Sequence, residues 1–183
     1  MSQERMGYLG RLARSAGQWL RHRLLTLWRG QGPEGIYNFL AIGPQLLTSG
    51  QPTEKQLAHL RDKGVATVIN LAPVTADNAL ADEAGTVAAL GMRYVHIPVD
   101  FAAPSEDDFR RFCDAMASRG EGSVLVHCAA NMRVSAFMYR YRCEVLAEPA
   151  ARARRDLHRI WRPQGVWGDF IASGHRIAGK GDQ

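Results

Sequence analysis

A short apolar run, Val124-Leu125-Val126, stops at His127-Cys128 and turns within a few residues into a long helical pattern. This stretch constrains the fold more than any other. The run is too short for a helix and reads as a buried strand. Ala129, Ala130, Asn131, Met132 and Arg133 follow, then Val134 and Ser135, with Phe137, Tyr141 and Val145 at helical spacing. A strand that delivers a cysteine to the first turn of a helix builds an anion site. The N–H groups of the turn point inward, and the helix N-terminus adds partial positive charge. That field is expected to favour the thiolate of Cys128, the nucleophilic form. Arg133 supplies a planar fork that can grip two oxygens of one oxyanion. Asn131 tolerates the left-handed backbone that a tight loop without glycine needs.

The rest of the chain alternates strands with helices. Strands are expected around Tyr37–Leu40 and Gln45–Thr48, with a turn at Gly43-Pro44. Thr53 caps a helix over 54–63 that Gly64 stops. Val65–Leu71 reads as a buried strand, 79–90 as a helix with Leu80, Ala84, Val87 and Leu90 inward, and Met92–Ile97 as the next strand. Ser105 caps a helix over 106–118 with acids in its first turn. After the helix from about Arg133 to Leu146, Glu148-Pro149 is a break, and helices follow over 150–161 and 167–177. The expected architecture is α/β, a central and mainly parallel sheet with helices on both faces. Cys128 then stands at the carboxyl end of a central strand, where such folds place ligands.

The formal net charge is +5, and residues 1–30 account for it with six arginines against Glu4. The remainder is formally neutral, so the chain is not a broadly basic nucleic-acid-binding domain. Residues 4–29 read as one amphipathic helix, with Trp19 and Trp28 on or beside its apolar stripe, and Gly30–Pro33 as its end. Three readings fit it: packing on the domain or a second copy, lying on an anionic membrane surface, or a cleaved transit peptide. The expected division is 1–32 for this helix and linker, 33–178 for the main domain and 179–183 for a tail. Three cysteines without close spacing argue against a disulfide framework or a metal site and for a reducing, cytoplasmic setting, peripheral to the membrane if the helix is interfacial. No cofactor or metal is implied.

The order His127-Cys128, a short loop, Arg133 and a hydroxyl resembles the signature of the cysteine-dependent protein tyrosine and dual-specificity phosphatases. That family places five residues between Cys and Arg, with a glycine in the loop. Here four stand between them, Ala129, Ala130, Asn131 and Met132, and Val134 separates Arg133 from Ser135. The resemblance extends to Ser49-Gly-Gln-Pro52, Val68-Ile-Asn-Leu71, Tyr94-Val-His-Ile-Pro-Val-Asp100 and Val126-His-Cys128, over roughly 36–146, and points to a small bacterial branch. It implies a dual-specificity-phosphatase-like fold and hydrolysis of a phosphorylated protein or a small phosphomonoester. Cys128 would attack phosphorus, Arg133 would bind the phosphoryl group, and Asp100 would be the general acid. Ser135 would either assist the sulfur or point into the helix. His127 and Ala129 to Arg133 would form the phosphate-binding loop.

Other residues read as structural. Cys113 and Cys143 fall in helical patterns, Asp107 and Asp108 in a first turn, and Asn70 and His96 at strand positions suited to satisfied polar groups. Arg140 and Arg142 read as helix-surface arginines, and Gln51 as a residue that could line the pocket. The loop carries no basic residue between Cys128 and Arg133, which argues against highly charged inositol phosphates. Two other functions remain open: a rhodanese-like sulfurtransferase, whose cysteine loop is also short, and a phosphate-binding module without turnover.

Overall fold

The computed structural model describes residues 35–178; the basic helix expected over 4–29 and the tail 179–183 lie outside it. In chain order the elements are β1 Leu40–Gly43, β2 Leu46–Ser49, α1 Glu54–Asp62, β3 Val65–Asn70, α2 Glu83–Ala89, β4 Arg93–His96, α3 Glu106–Ala117, β5 Ser123–His127, α4 Met132–Glu144, α5 Ala150–Ile160 and α6 Val166–Ala178. The sheet order is β1-β2-β5-β3-β4. Only β1 runs antiparallel to its neighbour, while β2, β5, β3 and β4 are parallel. Strand β5, which ends one residue before Cys128, is therefore the middle strand.

Alternation along the strands divides the core between two faces. Leu47, Val68 and Leu125 pack with Leu57 and Leu60 of α1 and Val87 of α2. Ile69, Val124 and Val126 face the other way, onto Phe112 and Met116 of α3 and Val134 and Phe137 of α4. Strands covered on both sides read as continuous apolar runs, and β3 and β5 do. Thr53 and Ser105 close capping boxes on α1 and α3.

Helix α4 is buried on nearly every side, between the sheet, α3, α5 and α6. This corrects the reading of Arg140 and Arg142 as surface arginines: each is 1% exposed. Arg140 binds Glu106 and Glu144 and lies 4.0 Å over the Phe109 ring. Arg142 binds Glu148 and Asp156, which ties the 147–149 turn and α5 to α4. The apolar stems help fill the core while fork-shaped heads meet carboxylates at its edge. Two boundaries also differ from expectation. Strand β1 begins at Leu40, leaving Tyr37 65% exposed. Helix α2 begins at Glu83, because the Asp82 side chain accepts from Gly85 N–H and caps it. Among the described residues no helix is long and apolar enough to cross a membrane.

Candidate active site

β5 delivers Cys128 to the end of the sheet between two parallel neighbours. The Cys128 N–H donates to Ser49 O (3.3 Å) and Leu71 N–H donates to His127 O (2.8 Å). Cys128 is buried at 1% exposure, at the base of the loop that leads into α4. Asn131 caps that helix with φ 63°, in the left-handed conformation its residue type tolerates. Its Nδ2 donates to Asn38 O (2.7 Å) and Thr48 Oγ1 (3.0 Å), so the amide anchors the loop as well.

The loop carbonyls of Ala129 and Ala130 are already engaged as acceptors. Ala129 O accepts from Gln51 N–H (3.3 Å) and Asn78 Nδ2 (3.0 Å), and Ala130 O accepts from Asn38 Nδ2 (3.0 Å). In a trans peptide the Ala130 N–H then faces the opposite side to the Ala129 carbonyl. A loop whose acceptors are engaged and whose donor faces the other way suits a bound oxyanion. Gly50 lies against this loop so closely that a side chain there would meet Tyr37 O at 2.9 Å and Ala129 O at 3.0 Å.

Arg133 leaves the first turn of α4, donates Nε to Val99 O (2.9 Å) and stacks 5.1 Å from the Phe101 centroid. Two contacts therefore orient the guanidinium, and its terminal nitrogens can serve an oxyanion. Arg133, Ala129 and Ala130 line an open cleft of about 640 Å³, whose other walls include Tyr37, Thr75 and Asn78.

Asp100 is exposed and stands between two tethered neighbours. Val99 O holds Arg133, and Phe101 O accepts from Trp167 Nε1 (2.8 Å). The Asp100 Oδ1 accepts from Ala102 N–H (2.8 Å). The structure thus brings the Asp100 loop to Arg133. Ser135 is placed differently: its Oγ donates to Met132 O (3.0 Å) and accepts from Trp161 Nε1 (3.1 Å). None of its hydrogen bonds is to Cys128, so assisting the sulfur requires the hydroxyl to leave Met132.

His127 is fully buried, and its Nε2 lies 3.0 Å from Glu83 Oε1, an ion-pair distance without the alignment of a good hydrogen bond. Glu83 was missed in the sequence because apolar periodicity put Ala84 inside. Ala84 is exposed and Glu83, four residues before Val87, faces in. The i, i+4 spacing of Glu83 and Val87 was the available signal. Burial pushes the Glu83 carboxyl up, but His127, Gln51 and Tyr94 outweigh it and hold the group below its ordinary value. Tyr94 is pushed up to about 12, first by burial and then by Glu83. Burial pushes Cys113 up to about 11 and raises Cys143, which leaves both poor nucleophiles. Among the described residues no cluster of three or more His, Cys, Asp or Glu is placed to hold a metal ion.

Comparison with known proteins bears on the family and the fold. The family model described as a DSP-PTPase phosphatase fused to NAD+ kinase matches residues 43–163. A putative phosphatase of the DUF442 group from Shewanella putrefaciens CN-32 superposes with a TM-score of 0.72 at 36% identity, covering 80% of this chain and 96% of that one. TpbA from P. aeruginosa, solved in complex with phosphotyrosine, superposes with a TM-score of 0.57 at 20% identity, covering 84% and 88%. A beta-lactamase hydrolase-like protein from Xylella fastidiosa is 35% identical over 95 residues, 50% of this chain. That match spans only 22% of the relative's length.

Proposed function

Because the chain belongs to the DSP-PTPase phosphatase family, we propose that it is a metal-independent cysteine phosphatase acting on phosphomonoesters by two displacements at Cys128. The observation that carries this reading is the pairing of a buried cysteine, on a loop whose carbonyls are engaged, with an oriented arginine lining the adjoining cleft.

In the first displacement the Cys128 thiolate attacks phosphorus. A P–S bond forms, the ester P–O bond breaks, and the leaving oxygen takes the proton of Asp100. In the second, water attacks phosphorus, passes a proton to the Asp100 carboxylate, and the P–S bond breaks to release phosphate and the thiolate. Arg133 and the loop N–H groups bind the equatorial oxygens, whose charge is spread in the transition state. Ser135 supports departure of the sulfur only by turning its hydroxyl away from Met132. An open cleft without a basic residue between Cys128 and Arg133 suits a phosphorylated tyrosine, serine or threonine side chain, or a small phosphomonoester, better than a densely charged inositol phosphate. The reading includes a reducing, cytoplasmic setting, because a thiolate nucleophile has to stay reduced, with residues 4–29 as the segment that would hold the protein to an anionic membrane.

The test is capture of the intermediate. Acid quenching during turnover of an aryl phosphate, followed by peptide mass spectrometry, is expected to find a phosphoryl group on Cys128. Turnover with no phosphoryl group on Cys128, or turnover undiminished in Cys128→Ser, contradicts the reading. Sulfur transfer from thiosulfate to cyanide by a protein inert toward phosphate esters would assign the site to sulfurtransferase chemistry.

A further inference from the structure

Four side chains from four separate stretches converge on one buried carboxylate. Glu83 Oε1 accepts from Gln51 Nε2 (2.8 Å) and lies 3.0 Å from His127 Nε2. Its Oε2 accepts from Asn70 Nδ2 (2.6 Å) and from the Tyr94 hydroxyl (3.1 Å). Each partner comes from a different one of the segments Ser49–Pro52, Val68–Leu71, Tyr94–Asp100 and Val126–Cys128. Glu83 is 7% exposed and joins all four.

We infer that Glu83 is the positioning residue of the nucleophile: through the His127 ring it fixes where the turn at Cys128 stands. The inference rests on the phosphatase reading for its effect on turnover. The peptide between His127 and Cys128 is pinned at both its polar atoms, Cys128 N–H to Ser49 O of β2 and His127 O to Leu71 N–H just past β3. Neither ring nitrogen of His127 makes an aligned hydrogen bond among the described residues, so the 3.0 Å approach of Nε2 to Glu83 Oε1 is the polar contact that holds the ring. A carboxylate beside Nε2 holds the ring proton on that nitrogen and so sets the tautomer. Nδ1 is then the acceptor side of the ring.

The choice of a carboxylate is informative. Gln51, Asn70, Tyr94 and His127 Nε2 all present donors, and a carboxylate has about four acceptor sites for them. An amide would accept at one oxygen and turn its own N–H groups against the remaining donors. A desolvated carboxylate is otherwise unfavourable, yet its neighbours hold this one in the charged form.

The experiment is a double-mutant cycle on the full chain with two readouts. One is the rate of Cys128 alkylation by iodoacetamide, followed on the Cys128 peptide by mass spectrometry and needing no substrate. The other is kcat and KM on para-nitrophenyl phosphate. Glu83→Gln is expected to slow alkylation and lower kcat about tenfold with KM within about twofold, the scale of a misplaced nucleophile. In a His127→Asn background the same substitution is expected to add nothing, because its effect passes through the ring. A folded Glu83→Gln variant that alkylates like wild type overturns the inference, as does equal slowing in both backgrounds. Coupled alkylation in a protein that shows no phosphatase turnover would sustain the role of Glu83 and remove the phosphatase reading alone. Should Glu83→Gln fail to fold by circular dichroism, Tyr94→Phe carries the test, since it removes one donor and keeps the ring. It is expected to slow alkylation by less, and an unchanged rate counts against the inference.

Discussion

Replacing Gly50 by alanine perturbs the loop while leaving every chemical group in place. A Cβ at Gly50 would stand 2.9 Å from Tyr37 O, 3.0 Å from Ala129 O and 3.4 Å from Ala130 Cα. Carbon–oxygen contacts ordinarily begin at about 3.3 Å, so these carbonyls must retreat by roughly 0.3–0.4 Å. Neither is free to do so alone. Gly50 N–H donates to Tyr37 O (2.8 Å), and Gln51 N–H donates to Ala129 O (3.3 Å). Overpacking against backbone costs roughly 1–3 kcal/mol, which for a chain of this length lowers Tm by several degrees. The reacting geometry is less tolerant. A displacement of about 1 Å costs on the order of 100-fold in rate, so a shift of a few tenths of an ångström in the Ala129 peptide should cost about three- to tenfold in kcat/KM. Thermal melts and steady-state hydrolysis of an aryl phosphate on the same preparation measure both. A variant that melts lower yet keeps wild-type kcat/KM would refute the claim that this close approach shapes the loop.

Three further outcomes follow from the same contacts. Asn131→Ala is expected to lower stability, measured by urea denaturation, by about 2–4 kcal/mol from left-handed strain and two lost hydrogen bonds. Asn131→Gly should recover the strain and not the bonds, so equal losses in the two variants would contradict the role given to φ. The folded-state pKa of Glu83 lies below its ordinary value, so its carboxylate contributes stability that is present above the ordinary carboxylate range and is lost as pH falls through the lowered value. Glu83→Gln should therefore show a shallower loss of stability on acidification, and an unchanged slope would contradict that. Asp100→Asn should slow an alkyl phosphate far more than an aryl phosphate with a good leaving group; equal slowing would remove Asp100 as the acid.

The sheet and most helices were legible because their signals are local. β3 and β5 are apolar on both faces, and Thr53 and Ser105 announce their helices. The cysteine loop was legible because its residue order is contiguous. What escaped depends on long-range packing. Arg140 and Arg142 looked like surface residues until Glu106, Glu148 and Asp156, from other parts of the chain, were placed against them. Glu83 escaped because apolar periodicity favours Ala84 at the inward position and because its donors, Gln51, Asn70, Tyr94 and His127, lie 11 to 44 residues away. The hydroxyl of Ser135 could be placed only once Trp161 was seen to reach it.

The most direct test is steady-state hydrolysis of para-nitrophenyl phosphate by the intact protein and by Cys128→Ser, each with EDTA present. Turnover that survives the chelator and vanishes in the variant is the predicted result. Turnover that EDTA abolishes, or that persists without the Cys128 sulfur, would contradict a cysteine phosphatase.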